Sequence, residues 1–132
     1  MGRGLILETT FLVDLERELG EGSTGPALGF LERHPGAPLF TTFTVAGELA
    51  AGLGPDQRDR WDRFIEPFRV LPATVEVCWE YGKAYRYLSA NGLLIGANDL
   101  WIAATALAFD KGLVTRNARE FQRVPGLSVV TY

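Results

Sequence analysis

The chain is poor in the residues that build covalent or zinc-based cross-links. Cys78 is its single cysteine and His34 its single histidine among 132 residues. An internal disulfide is therefore excluded, and a zinc site made of cysteine and histidine cannot be assembled. Neither residue has an obvious acid or base partner that would make it a nucleophile. One cysteine is consistent with a reducing compartment, and we expect a cytoplasmic protein.

Signals for secretion or membrane insertion are also missing. The segment from Met1 to Gly4 leads into an apolar run without the basic region and small-residue cleavage site of a signal peptide. The stretch 88–109 is long enough to suggest a membrane helix, but it contains Asn91, Asn98 and Asp99 and is interrupted by glycines. We therefore expect no membrane partner.

Positive charge is too sparse for a protein that coats nucleic acid. The net charge is −3 and the pI is about 5.1, whereas a coat protein carries a basic field over its whole surface. A local basic patch remains open, because Arg116, Arg119 and Arg123 have the i, i+3, i+7 spacing of one helical face. This spacing has two interpretations, a solvated helix face and a patch that binds substrate.

Three carboxylates lie alone in long uncharged stretches. Glu8 is the only charged residue in 4–13, Glu48 in 39–54 and Asp99 in 88–109. With 22% of residues charged, a stretch as long as 39–54 would carry about 3.5 charges on average. Burying an ionised carboxylate without a partner costs several kcal/mol, so we expect the three acids to meet around a shared cation. An all-oxygen ligand set favours Mg²⁺ or Mn²⁺.

The order of the elements predicts an α/β fold in one domain, residues 1–132, with a mostly parallel sheet. Gly20–Gly25 has the glycine spacing of a dinucleotide-binding loop, but it follows a helix instead of a strand, so we interpret it as a flexible connection. The predicted strands are 5–7, 39–41, 68–71, 113–115 and 127–130. Two of the predicted helices end near Leu19 and near Arg123. The other predicted helices span 26–33, 43–53, 55–66, 75–88 and 98–109.

The acids follow the strands of this predicted sheet, and ligands of an open parallel sheet bind beyond the carboxyl ends of its strands. Glu8 ends the first strand, Glu48 follows the second, and Asp99 lies in the first turn of a late helix. Asn117 and Glu120 follow the fourth strand. The order therefore predicts one site that gathers these five side chains.

Each acid also has a plainer explanation. Glu8 and Glu48 could face solvent, and Asp99 could serve the helix dipole beside an Asn98 cap. Glu120 could pair with Arg116 or Arg123.

Several segments of the chain, in this order, carry a family likeness. They are LILETTFLVDL from Leu5, TFTVAGEL from Thr42, NDLWIAATAL from Asn98 and LVTRNAREF from Leu113. Together they resemble the PIN-domain ribonucleases, and in particular the VapC-like toxins of bacterial toxin–antitoxin pairs. The resemblance implies a three-layer α/β/α sandwich with a central sheet of four to five strands.

The same resemblance implies a function and its residues. It implies Mg²⁺- or Mn²⁺-dependent hydrolysis of RNA, an antitoxin partner and a homodimer. The implied metal ligands are Glu8, Glu48 and Asp99, with a fourth corner from Asn117 or Glu120. The substrate contacts expected around them are Thr10, Thr115, Arg116 and Arg119.

Glu8 departs from the family pattern, which has Asp at this position. Two hypotheses follow: a metal-dependent ribonuclease toxin, or a cleavage-impaired PIN fold that binds RNA or a partner protein. A phosphoacceptor receiver domain is a third interpretation, but it needs a suitably placed lysine, and the chain offers only Lys83 and Lys111.

Partner contacts are also expected. An antitoxin arginine could enter the acid cluster. The early helices carry many apolar residues, which either line a groove for the antitoxin or a second copy or are all core. They are Phe11, Leu15, Leu28, Phe30 and Leu31.

Overall fold

The computed structural model describes residues 4–132 and shows strands and helices alternating along the chain. The strands are β1 (Leu5–Leu7), β2 (Leu39–Thr42), β3 (Arg69–Leu71), β4 (Gly112–Val114) and β5 (Val129–Val130). The helices are α1 (Thr9–Glu21), α2 (Pro26–Glu32), α3 (Phe43–Ala51), α4 (Arg58–Ile65), α5 (Val75–Ala90), α6 (Ala97–Ala108) and α7 (Ala118–Phe121).

All four strand pairings are parallel, and the strand order is β3-β2-β1-β4-β5. The chain therefore adds strands on one side of β1, returns through α5 and α6, and continues on the other side. Because crossovers between parallel strands are right-handed, this reversal sends helices to both faces of the sheet. The predicted three-layer α/β/α sandwich with five strands is confirmed.

The middle of the sheet is buried, which explains why its strands are apolar runs in the sequence. Ile6, Leu7, Leu113 and Val114 are all fully buried, as parallel strands covered on both faces require. Threonines cap two of the helices that follow strands, α3 and α5. The hydroxyl of Thr42, for example, accepts a hydrogen bond from the Val45 N–H at 3.1 Å.

The apolar residues of the early helices belong to the core. Phe11, Leu15 and Phe30 are at most 4% exposed, and Leu28 and Leu31 are half-buried and packed against the same core. The hypothesis that some of them line a partner groove is therefore not supported for the three buried ones. None of the helices in residues 4–132 is long and apolar enough to cross a membrane.

Glu18 ties α1 to α2 through a contact that the sequence pattern did not reveal. Its carboxylate is 2% exposed and accepts hydrogen bonds from the N–H groups of Gly25 (2.9 Å), Ala27 (3.0 Å) and Leu28 (2.9 Å). Helix α2 therefore begins on a negative charge that satisfies its free N–H groups. The segment that we interpreted as a flexible connection is held at its end by this contact.

Glu18 also makes stability depend on pH. Burial pushes its pKa up, but the three N–H donors outweigh burial, and the pKa lies below its usual value of 4.5. The Glu18 carboxylate takes up a proton more readily in the unfolded chain than in the folded one. The stability that Glu18 contributes is therefore complete above the usual pKa and is lost as the pH falls through the lower pKa of the folded protein.

We predict that Glu18→Gln lowers the free energy of unfolding at pH 7 by about 1–3 kcal/mol, because one N–H then faces an amide N–H₂ group. The difference from the parent should shrink below the usual pKa. Urea unfolding at pH 7 and pH 3.5 measures both effects. Glu21→Gln, an exposed neutralisation on the same helix, is the control, and equal losses in the two variants would contradict the cap.

Candidate active site

The sequence-predicted acids meet at the edge of the sheet where the strand order reverses. Strands β1 and β4 are neighbours, pair as Leu7 with Val114, and lead into helices on opposite sides of that point. The residues that follow, Glu8 and Thr115, therefore lie side by side, and the Glu8 N–H donates to the Val114 carbonyl at 3.0 Å. Such a reversal opens a crevice at the carboxyl ends of the strands.

Glu8 is held in place by threonine hydroxyls. It is 4% exposed, and its Oε1 accepts from Thr10 Oγ1 at 2.7 Å and from Thr115 Oγ1 at 2.6 Å. The same oxygen accepts from the Thr10 N–H at 3.2 Å, so Glu8 also caps α1. The solvent-facing explanation for Glu8 is thus wrong, and the structure places Thr10 and Thr115 in contact with it.

Glu48 approaches from α3 and is fixed by two neighbours. Its Oε1 accepts from Thr9 Oγ1 at 2.6 Å, and its Oε2 accepts from Asn98 Nδ2 at 3.3 Å. Asn98 was interpreted as a helix cap, but Gly96 holds the cap position of α6. Helix α6 begins one residue earlier than predicted, which frees the Asn98 amide to reach Glu48.

The pKa of Asp99 indicates how closely the negative charges of the cluster lie. Its pKa is raised from 3.8 to about 6, first by burial and then by the charges of Glu8, Glu120 and Glu48. A hydrogen bond with Glu120 adds to the shift. Four carboxylates from four parts of the chain therefore share one region, and Glu120 belongs to it instead of pairing with an arginine.

The residues after β4 divide between this cluster and the surface. Asn117 Nδ2 donates to Glu120 Oε2 at 3.4 Å, and the Arg116 N–H donates to Thr10 Oγ1 at 3.0 Å. Arg119 is exposed on α7, and Arg123 points elsewhere, to the carbonyls of Leu93 and Leu94.

The expectation of one arginine face on a helix is wrong, because α7 is only four residues long. Arg116 precedes this helix and Arg123 follows it, so the i, i+3, i+7 spacing has no continuous helix behind it.

The chemistry of the donors suits a hard divalent cation bound partly through water. The cluster offers only carboxylate and amide oxygens, and its crowded negative charge is what a cation would neutralise. Within residues 4–132, however, no three His, Cys, Asp or Glu side chains are arranged to hold a metal as they stand. The hydrogen bonds on Glu8 and Glu48 do not exhaust these carboxylates, since each has about four acceptor positions. The chemistry of the residues therefore fits a loosely held divalent cation, and they do not form a closed cage.

Several residues of the region escaped the sequence reading. Thr9 and Asn98 hold Glu48, and both are adjacent to residues that were singled out, so adjacency was a usable signal. Asp14 and Tyr132 contact Arg116 or its partner, and nothing in their local sequence indicates that contact.

Comparison with known proteins agrees with this geometry. The model of the PIN domain matches residues 5–127 of the chain. The chain belongs to the PIN domain family. The matched segment includes every acid of the cluster, from Glu8 to Glu120.

Curated relatives and similar solved structures match from 70% to 97% of this PIN domain. Ribonuclease VapC of Rickettsia bellii (strain RML369-C) is 30% identical over 132 residues, which cover 97% of this chain and 96% of that protein. Ribonuclease VapC1 of Haemophilus influenzae (strain R2866) is 37% identical over 98 residues, covering 70% of this chain and 73% of that protein. The structure of VapBC2 from Rickettsia felis bound to a promoter DNA fragment aligns with a TM-score of 0.82 at 26% identity, covering 97% and 98% of the two chains.

We predict that Asp99→Asn raises the thermal midpoint of the metal-free protein by roughly 2–6 °C at pH 8, because it removes one of four crowded charges. Since the pKa of Asp99 is about 6 in the folded protein and ordinarily 3.8, its ionised form costs stability above that range. The increase in thermal midpoint should vanish at acid pH, where Asp99 is protonated in both the folded and the unfolded protein.

Thermal unfolding in EDTA measures this, with Glu21→Gln as a control that changes the net charge equally on an exposed part of α1. A lower midpoint for Asp99→Asn alone would mean that Asp99 has a structural partner and is not a member of a repulsive cluster.

Proposed function

We propose that this PIN domain is an endoribonuclease that hydrolyses RNA phosphodiester bonds with Mg²⁺ or Mn²⁺. The convergence of Glu8, Glu48, Asp99 and Glu120 at the switch point of the sheet carries the proposal, because such a cluster is costly unless a cation compensates it. The relatives that bear the name ribonuclease support the choice of substrate.

Glu8, Glu48 and Asp99 would hold the cation, with Asn117 or Glu120 as a further ligand. When bound, a divalent ion supplies an activated water and neutralises charge on the phosphoryl oxygens. The hydroxyls of Thr10 and Thr115 keep Glu8 in one orientation. Thr9 and Asn98 do the same for Glu48, so the orientation of each of these two acids is restricted before a cation binds.

Substrate phosphates would be met by the arginines beside the acids. Arg116 has a side chain that is 61% exposed, and its backbone is hydrogen-bonded to Thr10 within the site. Arg119 is exposed one turn further on. A guanidinium binds phosphate oxygens through several N–H groups in a fixed plane, which suits this role.

We also propose that the protein is a cytoplasmic toxin with a cognate antitoxin. Solved structures similar to this chain are VapBC complexes, from Rickettsia felis and from nontypeable Haemophilus influenzae. An antitoxin arginine placed among the acids would neutralise them much as a cation does, so antitoxin and metal would compete.

The binding-only alternative finds less support. In a binding-only protein nothing would compensate the crowding of the four acids, where burial and then the charges of the other three raise the pKa of Asp99 to about 6. Glu8, the residue that motivated the alternative, is also firmly held by its two threonines.

We predict that the purified protein cleaves labelled single-stranded RNA in Mg²⁺ or Mn²⁺ and not in EDTA. Glu48→Gln and Asp99→Asn should each lower the rate by at least about 10²-fold, because the amides keep the shape but remove the charge that holds the cation. Glu21→Gln should cleave like the parent. Equal cleavage by the parent and both site variants would assign the activity to a contaminant.

The same assay addresses Glu8, whose carboxylate lies about 1 Å farther from the backbone than that of the Asp implied by the family. We expect Mn²⁺ to support the parent better than Mg²⁺, because Mg²⁺ demands strict octahedral geometry. Glu8→Asp should narrow this difference and raise the Mg²⁺ rate, by up to on the order of 10²-fold. If Glu8→Ala behaves like the parent, Glu8 does not serve the metal.

The homodimer that the resemblance implies would use the outer face of α5. Val75 is 82% exposed and Trp79 is 63% exposed, one turn apart on that helix, and neighbouring exposed apolar side chains can form a patch that marks an interaction site. This face replaces the buried residues of the early helices as the expected contact.

Light scattering should give about twice the 14.5 kDa of one chain, and Trp79→Ser should shift the mass towards the monomer. Leu19→Ser, at an exposed apolar site on α1, is the matched control. Adding the product of the neighbouring gene should raise the mass further. A parent that stays monomeric would exclude the dimer. If the mass of the parent does not change when the neighbouring gene's product is added, that product is not the antitoxin.

A further inference from the structure

Asp14 is the most heavily bonded buried acid near the site and is not part of the acid cluster. It lies on α1, one turn after Thr10, and is 2% exposed. Its oxygens accept from Arg116 Nη1 at 2.9 and 3.1 Å, from Arg17 Nη1 at 3.0 Å and from the Tyr132 hydroxyl at 2.6 Å. A buried carboxylate with three charged or polar donors is fixed in orientation.

Arg116 is thereby held at both ends. Its guanidinium is anchored on Asp14, and its backbone N–H is bonded to Thr10 Oγ1 at 3.0 Å. That hydroxyl donates to Glu8 at 2.7 Å, so the backbone of Arg116 is two hydrogen bonds away from the acid cluster. Both contacts with Asp14 use Nη1, which leaves the donors on Nε and Nη2 outside this ion pair.

Tyr132 completes the anchor after β5. Its ring packs edge to face on Phe11, with centroids 4.7 Å apart and planes at 70°, and Phe11 is fully buried. Burial and the Asp14 carboxylate raise the pKa of Tyr132, so its hydroxyl remains a hydrogen-bond donor at neutral pH. A rigid aromatic side chain thus sets the position of Asp14 Oδ2.

An unrestrained arginine at this position would not stay at the rim. Its backbone lies two hydrogen bonds from Glu8, and opposite charges at short range attract strongly where water is partly excluded. A free Arg116 would be drawn into the cluster and would occupy the place of a cation. Asp14 supplies a competing anion, which keeps the guanidinium outside the cluster and facing solvent over 61% of its side chain.

We propose that Asp14 and Tyr132 are positioning residues that hold the Arg116 guanidinium at the rim of the acid cluster, where it binds a phosphate of single-stranded RNA. The proposal rests on the proposed ribonuclease function and adds to it the route by which Tyr132, beyond β5, controls substrate binding. Neither positioning residue touches the substrate. Their effect passes through Arg116.

Tyr132→Phe is the first probe, because it keeps the ring on Phe11 and removes only the hydroxyl, which interacts with Asp14 and also with Thr10. RNA binding is measured by fluorescence anisotropy of a labelled single strand, with cleavage blocked by Asp99→Asn. We expect Tyr132→Phe to weaken binding by roughly 3- to 10-fold and Arg116→Ala by at least about 10-fold. Arg116→Ala should also lower the slope of log K against log salt by about 0.7, the value for one phosphate contact on a single strand.

The double variant shows whether Tyr132 acts through Arg116. In the Arg116→Ala background, Tyr132→Phe should have no further effect on binding. Arg17→Ala is the matched control, because Arg17 contacts the same oxygen of Asp14 as Arg116 does but makes no hydrogen bond to the site threonines within residues 4–132. It should change binding by less than about twofold.

The outcomes separate the proposals. Parent-like binding by Tyr132→Phe, or equal losses with and without Arg116, would overturn the positioning role while leaving the ribonuclease function intact. A parent that neither binds nor cleaves RNA would overturn both. Asp14→Asn should repeat the loss, and thermal unfolding of each variant distinguishes weaker binding from weaker folding. In the Asp99-containing protein, Tyr132→Phe should raise KM with kcat within about twofold of the parent.

Discussion

The structure at the carboxyl ends of the strands depends on one constraint, the repulsion among Glu8, Glu48, Asp99 and Glu120. Carboxylates gathered in this way separate or take up protons unless the surrounding structure holds them, and the pKa of Asp99, raised to about 6, shows the strain. The holding groups are neutral donors. Thr10 and Thr115 bind Glu8, and Thr9 and Asn98 bind Glu48. Neutral donors fix the acids without cancelling their charge, so the field that attracts a cation remains.

The arginine beside the acids must meet the opposite requirement, that its positive charge stays apart from theirs. A positive group is useful there only if it does not neutralise the cluster, and Arg116 is kept at the rim by its own counter-ion, Asp14. The two requirements, a strong negative field for the cation and a nearby positive group for phosphate, conflict unless a second anion separates them. Buried ion pairs often add little stability, so a positioning role accounts for Asp14 better than stability does.

The sequence predicted the composition of the site better than its internal contacts. The isolation of Glu8, Glu48 and Asp99 in uncharged stretches was visible because burial excludes unpaired charge, and alternating elements predicted the sheet edge where they meet. What failed were inferences from local spacing. The plainer explanation that made Asn98 a cap failed, and so did the alternative that placed the arginines on one helix face. The one-residue shift of α6 and the shortness of α7 depend on tertiary packing, which local spacing does not encode. The contact of Asp14 with Tyr132 joins residues 118 positions apart, and no local pattern encodes it.

The length of the Glu8 side chain can be explained by one of these long-range contacts. Glu8 caps α1, but Asp is the stronger capping residue, so capping does not account for Glu. The hydrogen bond to Thr115, which joins residues 107 positions apart at 2.6 Å, does depend on reach. A side chain shorter by about 1 Å would keep the cap and stretch this bond beyond hydrogen-bonding distance unless the backbone moved. Glu at this position therefore ties β1 to β4 beyond the last strand pair, and its geometry towards a cation follows from that tie.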